Sequence, residues 1–269
     1  MSYDIWKAIT CALMWKYGFA SVAGTFHVKS STPCQDASRV EVVMDAGGAE
    51  ILIAVASDGA GSATQAQRGS ALACDLFIDE LRSQIEWGNT RALLSDNFIA
   101  DWLAKFRGIA TGWSGPESAR IHDFACTLLA AVAWHDRVIY FQIGDGAIVE
   151  SRRDEPDCYT VVCWPQQGEY ANMTNFLTDA DAEKKVVREA RSGSIDEIAI
   201  FTDGIQRLAL DYGARSAHAP FFAPLFAWLR PRRGGASREL SDSLAVYLNS
   251  EKINSRTDDD KTLILATRR

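Results

Sequence analysis

Three apolar segments of the chain run into the same ending, an aspartate followed by glycine. Ile51–Ala56 leads into Ser57-Asp58-Gly59, Val138–Ile143 into Gly144-Asp145-Gly146, and Ile198–Phe201 into Thr202-Asp203-Gly204. Two further acidic positions flank apolar segments from the other side. Asp36 stands just before a strand-like stretch, and Asp258-Asp259-Asp260 just before Thr262–Ala266. One such Asp-Gly is ordinarily a turn signal, and an acid run before a strand is ordinarily a solvated face. Three matching endings together with two acidic flanks point instead to carboxylates gathered at the rims of buried strands, where a packed scaffold holds side chains rigidly. Converging carboxylates repel, and burial costs each of them solvation, so they either take up protons or bind a cation. A divalent ion that favours oxygen ligands, Mg²⁺ or Mn²⁺, resolves the conflict. Glycine after the aspartate allows the sharp turn and close backbone approach that such a site needs.

Other chemistries lack their residues. No cysteine is followed six positions later by arginine, and no GxxxxGK[ST] loop or GxSxG elbow occurs. The four histidines (His27, His122, His135, His218) are widely spaced, without an HExxH pair. The six cysteines (Cys11, Cys34, Cys74, Cys126, Cys158, Cys163) form no CxxC, which argues against a zinc ribbon and for reduced thiols.

The elements that position the acids follow from periodicity. Apolar residues at helical spacing predict helices over 3–16, 64–86, 90–109, 219–229 and 237–249. Strand-like segments are expected around 18–27 and 38–45, together with the apolar stretches above and a hairpin of 127–134 and 138–143 turned at His135-Asp136-Arg137. Residues 151–195 are polar and weakly periodic and read as a surface excursion with short helices. Buried strands with long helices between sheet blocks, and no regular βαβ alternation, give one α+β domain in layers.

Composition agrees. The chain has 269 residues, 47% of them hydrophobic, enough for a sizeable core. Its net charge of −7 offers no basic surface for nucleic acid. The 22 Asp outnumber the 13 Glu, a bias toward the better turn former and metal ligand. No apolar run reaches membrane-spanning length and the N-terminus lacks a secretory pattern, so a cytoplasmic protein with no membrane partner is expected.

In order along the chain, these residues resemble the motifs of the PP2C (PPM) family of metal-dependent protein serine/threonine phosphatases. Ser21 to His27 through Cys34-Gln35-Asp36-Ala37 resembles the opening motif, and Ala56-Ser57-Asp58-Gly59-Ala60-Gly61 the DGxGG motif. Ala125-Cys126-Thr127 is similar to the GTT/GST strand, and Ile143-Gly144-Asp145-Gly146 to the GDSR strand. Phe201-Thr202-Asp203-Gly204 matches SDG, and Asp259-Asp260-Lys261-Thr262 matches DNxT. Trp164 to Leu177 further resembles a bacterial branch. Four departures stand out. Ala60 occupies a position where some members carry histidine, Gln35 that of an acid, Cys126 that of a glycine, and Ser30-Ser31-Thr32 a stretch that often holds an arginine.

The resemblance implies a single domain over residues 1–269, a four-layer α-β-β-α sandwich with an antiparallel β-sandwich at its centre. It implies two Mn²⁺ or Mg²⁺ ions and a more weakly bound third. Asp58 would bridge the two ions and the Gly59 carbonyl would bind one. Asp203 and Asp259 would hold the other, with Asp258 and Asp260 as adjacent alternatives. Asp36 would act directly or through water, and Asp145 would serve the third ion. Asp36, Asp58 and Asp203 are then the catalytic acids, and a hydroxide held between the metals attacks phosphorus without a covalent intermediate. Lys29 and His27 are the nearest basic candidates for the substrate phosphate. The implied substrate is a phosphoserine or phosphothreonine protein with a cognate Ser/Thr kinase. The alternative is a catalytically weak relative that binds phosphoproteins. A receiver's acids and lysine, or the DxDx[TV] of haloacid dehalogenases, do not occur in the context those folds need.

Overall fold

The computed structural model describes residues 14–45, 47–113, 120–166 and 174–269. Its centre is the segment Ile51–Ala56, in which every residue is fully buried. A strand buried on both faces needs a layer on each side, and two packed sheets with helices outside supply them. One sheet orders β2 (Ala37–Met44), β3 (Glu50–Ser57), β4 (Leu128–Ala133), β5 (Arg137–Ile143) and β8 (Val187–Ser192), all antiparallel. The other orders a two-residue strand at Gly235–Ala236, then β1 (Lys16–Val22), β10 (Lys261–Thr267), β9 (Ile195–Phe201), β6 (Ala147–Arg152) and β7 (Thr160–Cys163).

Side chains alternate between faces along each strand. Leu52, Ala54 and Ala56 of β3 meet Ile198 and Ile200 of β9 and Ile264 of β10 between the sheets. Ile51, Ile53 and Val55 point the other way, onto α2 (Ala66–Glu86) and α3 (Asp96–Gly112). On the far side Ala199 and Phe201 pack with Phe222 and Phe226 of α4 (Ala219–Leu229) and Leu240 and Leu244 of α5 (Arg238–Leu248). The result is the expected four-layer α+β sandwich.

Local differences from the sequence reading have physical causes. Of the helix expected over 3–16, residues 1–13 lie outside the described residues, and Lys16 opens β1. The stretch 18–27 divides at Gly24 into β1 and a short helix, α1 (Thr25–Ser30). Over 90–109 the structure has a 3₁₀ turn at Thr90–Leu94 and then α3, because Ser95 caps the new helix by accepting from the Phe98 amide at 3.3 Å. The polar stretch 151–195 is not simply helical excursion. Among its described residues it holds one four-residue helix, Ala182–Lys185, and it supplies β7 and β8, an edge strand of each sheet. Edge strands cover only one neighbour and keep polar side chains, so their apolar signal is weak.

Ile200 is wholly buried between the sheets, two residues before Thr202. Ile200→Ala is expected to cost about 2–5 kcal/mol, read as a fall in the thermal midpoint of about 2–4 °C per kcal/mol at this chain size. A fall under about 2 °C would contradict the packing described.

Candidate metal centre

The strand order brings the endings together. β3 delivers Asp58, the β5–β6 connection Asp145, and the exit of β9 Asp203. One carboxylate oxygen from each lies within 4.8 Å of the others. The backbone fixes each in turn. The Asp58 amide donates to Thr127 Oγ1 at 2.9 Å, and its carbonyl accepts from the Thr127 amide at 2.8 Å. Gly59, bridged to Cys126, leaves no room for a side chain, since a Cβ there would lie 2.8 Å from the Gln35 carbonyl oxygen. Gly144 turns with φ of 111°, and a Cβ on it would meet Thr127 Cγ2 at 2.4 Å. Both glycines are therefore required by the close approach of neighbouring backbone and side chains.

Asp145 is steadied from the stretch after Trp164. Thr174 Oγ1 donates to Asp145 Oδ2 at 2.5 Å, and Gln166 Oε1 accepts from the Gly144 amide at 3.0 Å. Residues 167–173 of that stretch lie outside the described residues.

Asp36 enters from the start of β2. Its Oδ2 accepts from the hydroxyls of Thr202 and Thr262, each at 2.8 Å. Among the described residues its buried Oδ1 has no geometric hydrogen-bond partner. A buried, unpartnered carboxylate oxygen beside other acids is an open ligand position, because leaving it empty forfeits its solvation. The titration behaviour reflects the same crowding. Burial pushes the Asp36 carboxyl up to about 7, against the opposing effect of Thr202. Burial and then the charges of Asp36 and Asp203 hold Asp58 well above the usual carboxylate range. Burial, followed by the charges of Asp145 and Asp259, raises Asp203 to about 8. Asp145 and Asp259 are also raised, chiefly by burial. The donor set is all oxygen and anionic, which fits hard divalent cations.

The three terminal acids separate cleanly. Asp260 is buried and its carboxylate is filled by protein donors: the Gly24 amide at 2.7 Å, His27 Nδ1 at 2.8 Å and the Gln35 amide at 2.6 Å. Asp258 and Asp259 instead line a pocket of about 380 Å³ with Asp145 and Asp203. Asp260 therefore joins the segments 24–27 and 35 to the start of β10, and Asp259 faces the acids. His27 is nearly buried and its Nδ1 is engaged by Asp260, whereas Lys29 is exposed on α1. Arg207 and Arg256, which the sequence reading did not single out, stand on the wall of the acid pocket. Neither belongs to a recognisable motif, and they lie 49 residues apart in sequence, so only the fold pairs them. Thr202 and Thr262 were also missed as supports of Asp36, although Thr202 adjoins Asp203 and Thr262 closes the Asp259-Asp260-Lys261-Thr262 motif.

With that geometry described, comparison with known proteins is informative. A family model described as protein phosphatase 2C matches residues 23–248. The chain is 34% identical over 254 residues to serine/threonine-protein phosphatase 3 of Escherichia coli (strain K12), covering 94% of this chain and 98% of that protein. In fold it is similar to the catalytic domain of the serine/threonine protein phosphatase PstP in complex with two manganese ions, at a TM-score of 0.60 and 16% identity, with 94% and 98% of the chains covered. It is also similar to the serine/threonine phosphatase Stp1 from Staphylococcus aureus, at a TM-score of 0.59 and 15% identity, with 94% and 95% covered.

Asp259 and Asp260 should respond oppositely to substitution. Asp260→Ala strands three donors and is expected to lower the metal-free thermal midpoint by several degrees, at about 1–3 kcal/mol for each buried group left unpaired. Asp259→Ala is expected to leave that midpoint within about 2 °C and to reduce the stabilisation gained on adding Mn²⁺. Thermal denaturation of both variants with and without Mn²⁺ checks this. The reverse pattern would make Asp260 the ligand.

Proposed function

The chain belongs to the protein phosphatase 2C family, and from that premise we propose that its acid cluster holds two divalent cations for one-step hydrolysis of phosphoserine and phosphothreonine on proteins. Its activity class is that of a serine/threonine protein phosphatase. In this reading Asp58 and the Gly59 carbonyl would be among the groups that hold the ions. Asp203 and Asp259 serve the second ion, Asp36 contributes through its unpartnered Oδ1 or through water, and Asp145 serves a weaker third position. The observation that carries the reading is the approach of Asp58, Asp145 and Asp203 to within 4.8 Å at a rim where each carboxyl is held above its ordinary pKa.

When bound, divalent cations supply a nucleophile at neutral pH and positive charge opposite the phosphoryl oxygens. The chain's own residues do the positioning. Thr202 and Thr262 fix one oxygen of Asp36 and so aim the other. Two hydrogen bonds to Thr127, one to its hydroxyl and one from its amide, hold Asp58 at the end of β3. Arg207 and Arg256 bring positive charge to the mouth of the acid pocket, where an incoming phosphate arrives. Lys29 is exposed nearby in sequence to the opening motif, while His27 holds Asp260 and so acts on that region through it.

The choice of Mn²⁺ or Mg²⁺ follows from the oxygen donor set, and the manganese-bound PstP neighbour supports it. Residues 1–269 are read as one phosphatase domain, because β1 and β10, from opposite ends of the chain, pair along their full lengths. The natural partners are phosphorylated proteins and the Ser/Thr kinase that produces them, within the cytoplasm. Among the described residues no helix is long and apolar enough to cross a membrane. A binding module without turnover is disfavoured, since every acid of the proposed set is present.

Hydrolysis of a phosphothreonine peptide is the test. Activity is expected with Mn²⁺, to vanish in chelator, and to fall about 10²-fold or more in Asp58→Asn and Asp203→Asn, as on removing a group that stabilises developing charge. Full activity in chelator would overturn the mechanism, and no turnover with Mn²⁺ would favour the binding module.

A further inference from the structure

Beside the acid pocket lies a larger recess of about 680 Å³. The two share Arg207, Leu208 and Arg256 on their walls, so the recess continues the mouth of the acid site sideways. Its floor is apolar: Leu210, Phe221 and Leu225 from the approach to α4 and from α4 itself, Tyr247 from α5, and Ile253 just beyond. Its rim carries Arg207, Lys252 and Arg256, all exposed. None of the three enters an ion pair among the described residues. The acid of the recess, Asp211, is occupied within its own turn, accepting from the Ala214 amide at 2.9 Å.

The chain carries a net charge of −7, and its other arginines commonly have carboxylate partners, as Arg82, Arg153 and Arg230 do. Three unpartnered cations around an apolar floor, directly beside a cluster of carboxylates, are complementary to a ligand that is apolar and anionic at once. The volume lies in the range of about 300–1,000 Å³ that specific ligand pockets occupy. The three rim cations offer attraction to substrate carboxylates over about one Debye length, ~10 Å at 0.1 M salt.

We propose that this recess is the specificity subsite for the residues flanking the phosphorylated side chain, and that it selects a bulky apolar residue bordered by aspartate or glutamate. The inference rests on the phosphatase reading and narrows its substrate class. Phe221 and Leu225 receive the apolar side chain, while Lys252, Arg207 and Arg256 face the neighbouring carboxylates. The phosphate meanwhile lies in the acid pocket.

The test compares two phosphothreonine peptides on the same enzyme with Mn²⁺. One carries leucine or phenylalanine with flanking glutamates, the other alanine with flanking lysines. The wild type is expected to favour the first by about tenfold or more in kcat/KM, the scale of a few rim ion pairs acting together. That ratio should shrink as salt rises. Lys252→Glu should lower it about tenfold, and Leu225→Ser should reduce the preference for the bulky residue. Because the readout is a ratio on one preparation, partial folding or partial metal loading does not change it. A wild-type ratio near one, or a ratio unmoved by Lys252→Glu, overturns the subsite while the phosphatase reading stands. No turnover of either peptide overturns both.

Discussion

Carboxylates crowded out of water at one rim of a β-sandwich repel one another, and much of the surrounding structure follows from that repulsion. Asp36, Asp58 and Asp203 are all pushed above the ordinary carboxylate range by burial, and charges on their neighbours add to the shift. Such a cluster persists only because the scaffold over-determines it. Threonine hydroxyls hold Asp36, the hydroxyl and amide of Thr127 hold Asp58, and the turn at Gly144 sets Asp145 against Thr174. The sheets supply the rigidity, since β3 and β9 are buried along their apolar lengths right up to the acids they deliver. A cation removes the repulsion and leaves the rigidity, which is the condition for a pre-organised site.

Neighbouring acids in one run divide between two tasks. Asp260 receives two backbone amides and an imidazole, and so ties segments distant in sequence to β10. Asp259, one residue earlier, accepts from the Asp260 amide at 2.9 Å and lines the acid pocket. The distinction is hydrogen-bond saturation. A carboxylate whose lone pairs are filled by the protein supports structure, whereas one left open in a crowd of acids is a ligand position.

What was legible in the sequence were features carried by short contiguous stretches. The apolar runs ending in Asp-Gly identify both the buried strands and the acids, because strand burial and turn chemistry are written within six to nine residues. A layered α+β domain followed from those runs and the helices between them, and the resemblance to the family implied the four-layer sandwich. The hub at Asp260 was not legible, since its donors lie at positions 24, 27 and 35 and only β1–β10 pairing brings them near. The same holds for Arg207 and Arg256, which line one pocket from positions far apart in sequence. β7 and β8 were hidden because edge strands keep polar faces, and the break before α3 turned on one capping serine.

The claim that frustrated acids await a cation is tested most directly by counting protons. Calorimetric titration of metal-free protein with Mn²⁺ at pH 7, in buffers of different ionisation enthalpy, gives the number released on binding. With Asp36 near 7, Asp203 near 8 and Asp58 well above the ordinary carboxylate range before binding, the account predicts release of more than one proton at pH 7, and fewer as the pH rises. Binding at pH 7 with no proton release would contradict it.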